Sequence, residues 1–207
     1  MSVDSISSKK SDMRAELIAL RKSLSNQHRS QSSNNICTRL DDYLQTISYE
    51  AQSHTIAIYY PMAYEVDLHS FILQHQNSSF ALPVVLDKRH MEFVKVAASV
   101  LLRDTNSLPD FLRTPAKRSQ LPNEFPLVDA SDLFALVLPG LGFDIKGMRL
   151  GYGGSFYDTY LNTHHNKLHH AKRIALAFDE QVCSNIPCDS HDEPVDCLIT
   201  ASQTITF

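Results

Sequence analysis

The first quarter of the chain carries apolar residues at helical spacing. The first apolar stripe, which predicts a helix over residues 7–25, consists of Met13, Leu17, Leu20 and Leu24. A basic stripe runs beside it and is formed by Lys10, Arg14 and Arg21. A second amphipathic helix follows and carries Ile36, Leu40, Leu44 and Ile47. The chain therefore begins with two helices, each of which has an apolar face to bury.

Beyond residue 54, short apolar runs alternate with polar segments. The runs with strand character are 55–60, 80–85, 91–96, 134–138, 174–178 and 197–200. Helices are predicted over 68–74 and 156–166, and the segment 102–132, rich in Pro, Asn and Ser, is predicted to be irregular. We expect one α/β domain over 1–207, a Rossmann-like three-layer sandwich whose mostly parallel sheet is flanked by helices. The N-terminal helices, 7–47, are expected to pack on that core.

Composition narrows the function classes. The 207 residues are 43% hydrophobic and 20% charged with a net charge of −4, so a broad basic footprint for nucleic acid is missing. No apolar run is long enough to cross a bilayer. The four cysteines show no C-x-x-C spacing, which is typical of buried free thiols in a reducing compartment. We expect a cytoplasmic monomer that binds small molecules, neither nucleic acid nor membrane.

All the glycines of the chain lie in one window, 139–155. They are Gly140, Gly142, Gly147, Gly151, Gly153 and Gly154. The window follows the unbroken apolar run 134–138, which is typical of a buried parallel strand, and ligands collect beyond the carboxyl ends of such strands. A glycine-rich turn before a helix presents backbone N–H groups, and Arg149 adds a positive charge. The window is therefore a candidate phosphate site.

Two interpretations of this window stay open on its residues alone. Its spacing matches neither the P-loop nor the dinucleotide fingerprint. A purely structural interpretation makes Asp144–Gly147 a β-turn and the remaining glycines a helix cap.

The stretch PGLGFDIKGMRLGYGGSFYDTYL, residues 139–161, closely resembles the signature of 5-formyltetrahydrofolate cyclo-ligases, also called 5,10-methenyltetrahydrofolate synthetases. That signature has the form P-G-x-x-F-D-x-x-G-x-R-L-G-x-G-x-G-x-Y-D. Three further stretches agree with the family, namely Lys10-x-x-x-Arg14, YYPMAYEVD at 59–67, and IALAFDEQVCSNIP running on to HDEPVD. The resemblance covers almost the whole chain.

The resemblance implies a ligase of one-carbon metabolism that cyclises 5-formyltetrahydrofolate to 5,10-methenyltetrahydrofolate, using ATP as co-substrate and Mg²⁺, and releases ADP and phosphate. One alternative is a catalytically weak family member that binds folate or nucleotide as a sink or regulator. Another is an unrelated ATP-dependent enzyme on the same scaffold.

The resemblance also assigns the ATP site. Lys10 and Arg149 are implied as catalytic residues, and the implied ATP contacts are Lys10, Arg14, Arg149, Leu150, Gly151, Tyr152, Gly153, Gly154, Ser155, Phe156 and Tyr157. From spacing alone, Lys10 and Arg14 are a solvated helix face. Arg21 has no family support, and we expect it in solvent.

The implied folate contacts are Tyr60, Glu65, Tyr152, Gly153, Gly154, Ser155 and Phe156. The implied Mg²⁺ ligands are Asp158 and Asp192, which suits a metal that takes one or two carboxylates with phosphate and water. From the residues alone, each of these carboxylates is equally a helix cap or a surface group, and the aromatic rings are equally core residues. Asp189 and Asp196 are alternatives to Asp192 as the second metal ligand.

The chain departs from the family pattern in three places. Ser155 stands where the family has glycine, at a cost of ~1 kcal/mol or more if the position needs φ > 0. Residues 109–126 lack the G-I-x-E-P-like stretch, and Thr159 replaces a frequent arginine.

Overall fold

The computed structural model describes residues 3–48, 55–87, 90–103, 109–112, 121–189 and 191–207, with side chains from Ile6 onward. In these ranges the helices are α1 Val3–Ser23, α2 Asn26–Thr46, α3 His69–Gln74, α4 Ala98–Leu101 and α5 Phe156–Thr163. The strands are β1 Thr55–Ala57, β2 Ser79–Val85, β3 Met91–Ala97, β4 Leu133–Leu138, β5 Gly142–Asp144, β6 Arg149–Leu150, β7 Lys172–Leu176, β8 Val182–Cys183, β9 Cys197–Ile199 and β10 Thr204–Thr206.

Seven strands form the central sheet in the order β10-β9-β7-β4-β1-β2-β3. Strands β1, β2, β4, β7 and β9 pair in parallel, while β3 and β10 add antiparallel edges. The chain runs from β1 outward to β2 and β3, then returns to β4 on the other side of β1. The strand order therefore reverses between β1 and β4, and a crevice opens at the carboxyl ends of strands at such a point.

Alternating side chains of the strands build a core on each face of the sheet. Ile56 and Val137 join the core that α2 and α3 cover, whereas Ala57 and Leu138 join the core under α5. The result is a three-layer α/β sandwich with a mostly parallel sheet, as the sequence predicts.

The glycine window forms a second, small sheet beside the main one. Strands β5 and β6 make a hairpin whose Asp144–Gly147 turn closes with a hydrogen bond from Gly147 N to Asp144 O, and β8 pairs with β5. Helix α1 packs on this sheet through Leu17. A Cβ at Gly142 would lie 2.6 Å from Cδ1 of Leu17, so the close approach of the helix needs glycine there.

Some sequence predictions need correction. The first helix ends at Ser23, and Ser25 caps α2 by accepting a hydrogen bond from His28 N. The hairpin strands β5 and β6, the short β8, the final β10 and helix α4 were not predicted, because their apolar runs are too short to show a period. Part of 102–132 lies outside the described residues. The cysteines are free, but Cys188 is exposed and Cys183 is only half-buried, so the prediction that all four are buried is wrong for these two. Among the described helices, none has the length and apolar character needed to cross a membrane.

Candidate functional site

Three loops meet at the reversal of strand order. Residues 58–67 follow β1, the glycine window follows β4, and 177–181 follow β7. Helix α1 lies across them, since Arg14 Nε donates to Gly151 O at 2.9 Å and Arg21 contacts Gly140 O at 3.5 Å. Side chains distant in sequence therefore share one crevice.

Arg149 is buried beneath the glycine loop, with its side chain 4% exposed. It donates through Nη2 to Oδ1 of Asp158 at 2.7 Å and through Nη1 to Pro139 O at 3.2 Å. The guanidinium carbon lies 5.9 Å from the centre of the Tyr157 ring. Arg149, predicted to bind phosphate, therefore contacts the first turn of α5. Its partner there is Asp158, the aspartate predicted to bind metal.

Lys10 is buried rather than solvated. Its Nζ forms ion pairs with Asp192 and with Asp189, the latter at 3.0 Å. Burial lowers the pKa of Lys10, but the hydrogen bonds and charges of the two carboxylates outweigh it, so the pKa is raised overall. Hydrogen bonding from Lys10 lowers the pKa of Asp189. Lys10 remains a cation at neutral pH.

Arg21 lies inside the protein, and the prediction that it is solvated is wrong. It is 5% exposed, and its Nη2 donates to the hydroxyl of Tyr152 at 2.7 Å. Its Nη1 lies 3.9 Å from Oε1 of Glu65. The spacing of residues on the helix could not predict this, because the partner carboxylate, Glu65, lies in a loop distant in sequence.

Glu65 is buried, and both of its carboxylate oxygens have partners. Tyr152 donates its hydroxyl proton to Oε1, and Met62 N donates to Oε2 at 2.8 Å. Burial raises the pKa of Glu65, while the Tyr152 and Met62 hydrogen bonds and the charge of Arg21 act against that rise. Burial and the Glu65 charge also raise the pKa of Tyr152. The pair is a candidate recognition point for a polar ligand edge.

The loop 151–155 leaves the hairpin and enters α5. Gly153 has φ +96°, and a Cβ there would lie 3.5 Å from the guanidinium carbon of Arg14. Ser155, the N-cap of α5, has φ +54° and ψ +17°, so a serine occupies a left-handed conformation. A glycine, which the family signature has at this position, adopts this conformation without a Cβ clash, whereas Ser155 adopts it at a cost in backbone strain.

The remaining predicted contact residues line the crevice or support it. Tyr60 and Glu65 border a groove of about 390 Å³ that continues along Met62, Tyr64, His69, Ile72, Leu101 and Arg103. Leu150 is buried against Leu17, and Phe156 and Tyr157 pack partly on the core under α5. Gly154 precedes Phe156 so closely that a Cβ would meet its ring at 2.9 Å.

The two aspartates predicted to bind Mg²⁺ lie on adjoining segments. Asn162 Nδ2 donates to Asp158 O at 2.9 Å and to His191 O at 3.3 Å, which ties α5 to the loop carrying Asp192. Among the described residues, no group of three or more His, Cys, Asp or Glu side chains is gathered to hold a metal. The donors fit a Mg²⁺ held mainly by phosphate and water, and they do not form a protein cage.

Sequence reasoning missed two buried polar residues that shape the site. Asp144 is 1% exposed and accepts hydrogen bonds from the backbone of Lys146, Met148 and Ile186. Gln181 is 2% exposed and donates to the carbonyl oxygens of Gly140 and Leu141. In the sequence, Asp144 belongs to the F-D of the signature and Gln181 is the last residue of FDEQ, so both lie in stretches that resemble the family.

A model of the 5-formyltetrahydrofolate cyclo-ligase family matches residues 6–201 of the chain. Similar curated proteins include the 5-formyltetrahydrofolate cyclo-ligase of Mus musculus, which is 30% identical over 95% of this chain and 95% of its own length. The 5-formyltetrahydrofolate cyclo-ligase of Haemophilus influenzae is 28% identical, over 92% of this chain and 97% of its own.

Solved structures with the same fold are also found. A 5,10-methenyltetrahydrofolate synthetase from Mycoplasma pneumoniae superposes with a TM-score of 0.69 at 20% identity, covering 93% of this chain and 98% of that one. The corresponding protein of Aquifex aeolicus gives a TM-score of 0.68 at 26% identity, covering 95% of this chain and 92% of that one.

Proposed function

The chain belongs to the 5-formyltetrahydrofolate cyclo-ligase family and is a ligase, and on that premise we propose that it couples ATP to the closure of 5-formyltetrahydrofolate into 5,10-methenyltetrahydrofolate, releasing ADP and phosphate. The observation that carries the proposal is that Arg14 and Arg149 bond the glycine loop and the start of α5, while Lys10 bonds Asp192 on the segment that Asn162 ties to α5. Glu65 is joined to the same loop through Tyr152.

In the proposed reaction, the formyl oxygen of the folate attacks the γ-phosphorus of ATP, and the bond to the ADP oxygen breaks. N10 of the folate then attacks the activated carbon and gives up its proton to solvent, and the carbon–oxygen bond breaks to release phosphate. Such phosphoryl transfer needs alignment and neutralisation of charge more than a protein nucleophile. The site suits that requirement, since it combines a glycine-rich loop with the cations Arg14 and Arg149, and with Lys10 on the segment next to α5.

We assign Arg149, Arg14 and Lys10 to the phosphates of ATP, with Arg149 and Lys10 as catalytic residues. Each already has an oxygen partner: Asp158 for Arg149, Gly151 O for Arg14, and Asp189 with Asp192 for Lys10. Phosphate oxygens would replace or share those partners with little further desolvation, because Lys10 and Arg149 are already buried and Arg14 is half-buried. The backbone from Leu150 to Tyr157 would follow the phosphates toward the helix N-terminus.

Asp158 and Asp192 would hold Mg²⁺, whose charge, when the ion is bound, adds to the neutralisation of the phosphates. Their present pairing with Arg149 and Lys10 supports this, because the same carboxylates face the cations assigned to phosphate.

The folate is assigned to the other side of Tyr152. Glu65 would accept hydrogen bonds from the donor edge of the pterin, a paired geometry that suits a carboxylate. Tyr60 at the mouth of the groove, with Tyr152 and Phe156 on the loop side, would give the ring system flat apolar surface.

The direct test follows the methenyltetrahydrofolate absorbance after mixing the protein with 5-formyltetrahydrofolate, with ATP and Mg²⁺ each present or omitted. We expect turnover only in the complete mixture. Folate binding without turnover would instead identify a sink or regulator, and absence of both would refute the proposal.

Arg149→Ala tests the assignment of the phosphate site. We expect turnover to be abolished. Lys146→Ala is the control, because Lys146 is an exposed cation in the turn between β5 and β6 that is assigned to no ligand, and it should leave the rate unchanged. Retained activity in Arg149→Ala would refute the role given to that residue.

A further inference from the structure

Arg21 belongs to the same face of α1 as the residues assigned to ATP, yet it contacts the side of the crevice assigned to folate. It lies two helical turns beyond Arg14 and three beyond Lys10. Arg14 contacts the carbonyl of Gly151, and Arg21 contacts the hydroxyl of the next residue, Tyr152. Helix α1 therefore contacts two consecutive residues of the glycine loop through two different arginines.

The hydrogen bonds of Arg21 fix the direction of the proton of Tyr152. A guanidinium can only donate, so the hydroxyl oxygen of Tyr152 accepts from Arg21 Nη2. The hydroxyl proton is then free to point to Glu65 Oε1, which is the partner found there. The guanidinium carbon also lies 5.4 Å from the centre of the Tyr152 ring, so the ring is held from one face.

Arg21 also compensates a buried charge. The side chains of Arg21 and Glu65 are 6% and 4% exposed, and an isolated carboxylate at that depth is strongly disfavoured. The groups facing Glu65 are Arg21 from α1, Tyr152 from the glycine loop, Tyr59 after β1 and Tyr157 from α5. The three tyrosines are neutral, so in this set the positive charge comes from Arg21.

We propose, resting on the proposed function, that Arg21 is a positioning residue for the folate substrate. Arg21 holds Tyr152 against Glu65 and balances the charge of that buried carboxylate. Without Arg21, Tyr152 loses its fixed orientation and Glu65 takes up a proton more readily. A protonated Glu65 no longer presents two acceptor oxygens to the pterin. The ATP contacts of Lys10 and Arg14 depend on other partners and remain.

The kinetic test compares Arg21→Met, Arg21→Lys and the control Lys22→Met, an exposed lysine on the same helix. We expect Arg21→Met to raise the KM for 5-formyltetrahydrofolate by about tenfold to a hundredfold, as the loss of a charged hydrogen bond implies, with a much smaller change in the KM for ATP. The acid limb of kcat/KM for the folate should move to higher pH by about one unit. Arg21→Lys should recover part of both effects, and Lys22→Met should match the wild type.

Equal changes in the two KM values, or no displacement of the acid limb, would overturn the proposal. If Arg21→Met does not fold, Arg21→Met combined with Glu65→Gln removes both charges and serves in its place. The double variant should have a folate KM close to that of Glu65→Gln alone, and a further large increase would overturn the proposal.

A substrate-free measurement separates this proposal from the proposed function. The Glu65 carboxyl carbon is followed by NMR in protein labelled at glutamate, with Glu65→Gln assigning the resonance. In Arg21→Lys the titration midpoint should stay close to that of the wild type, and in Arg21→Met it should move to higher pH. An unchanged midpoint in Arg21→Met would refute the charge-balancing role, whether or not the wild type turns over the folate.

Discussion

Arg149 and Asp158 face each other at 2.7 Å, so the cation assigned to phosphate and a carboxylate assigned to metal neutralise one another. The pair allows the guanidinium to stay buried beneath the glycine loop. ATP and Mg²⁺ together would bring the same two charges, negative phosphate to Arg149 and a cation to Asp158. On the proposed function, binding would therefore exchange one balanced set of charges for another.

Asp158→Asn should both weaken magnesium binding and destabilise the protein. The amide still accepts the hydrogen bond of Arg149 but leaves its buried charge unbalanced, at a cost of about 1.5–3 kcal/mol in the free energy of unfolding. We expect the Mg²⁺ concentration for half-maximal rate to rise. Urea unfolding and a magnesium titration of the rate measure the two effects. Asp42→Asn, at an exposed aspartate of α2, is the control and should change neither. An unaltered magnesium requirement in Asp158→Asn would remove Asp158 from the metal site.

Ser155→Gly should stabilise the protein by about 1 kcal/mol, because glycine adopts the left-handed conformation of this position without the Cβ clash that serine suffers. Ser155→Ala is the matched comparison, since alanine removes the hydroxyl and keeps the strain. Thermal and urea unfolding distinguish them. If both variants were equally stabilised, the hydroxyl rather than the backbone would be responsible, contrary to this expectation.

Gly142→Ala should displace α1 from the hairpin. The new methyl group would lie 2.6 Å from Cδ1 of Leu17, and overpacking of this kind costs about 1–3 kcal/mol. Since α1 carries Lys10 and Arg14, we also expect a higher KM for ATP. In the Leu17→Ala background the same substitution should cost less, because the clashing atom is gone. Urea unfolding of the four proteins of this double-mutant cycle gives the coupling, and strict additivity would show that Leu17 and Gly142 are not in conflict.

The ion pair of Lys10 with Asp189 should make the effect of Lys10→Met depend on pH. The pKa of Asp189 is lower in the folded protein than its ordinary value of 3.8, so its contribution to stability is present above that value and lost as the pH falls through the folded pKa. The pKa of Lys10 is raised above 10.5, so the lysine side of the pair persists throughout the neutral range.

The difference in unfolding free energy between wild type and Lys10→Met should therefore be constant near neutrality and shrink as the pH falls below about 4. Urea unfolding at a series of pH values measures it, with Lys22→Met as the exposed-lysine control. A difference that stays constant into acid would mean that the pair with Asp189 contributes nothing.

Much of the fold follows from local pattern. The apolar run 134–138 became β4 at Leu133–Leu138, and the stripes at helical spacing became α1 and α2, because the period of an apolar face can be recognised from neighbouring residues along the chain. The hairpin β5–β6 escaped prediction, since its strands are two or three residues long and are defined by pairing with each other and with β8.

The sequence by itself determined the family, the α/β class and the concentration of glycines at the end of a central strand, because composition, periodicity and a long signature are written in consecutive residues. Only the tertiary structure decided which charges face each other. Arg21 was expected in solvent and instead balances Glu65, while Lys10 reaches Asp189 and Asp192 from the other end of the chain. A buried charge is stable only beside its partner, and that partner is brought by the topology of the sheet, which no local spacing encodes.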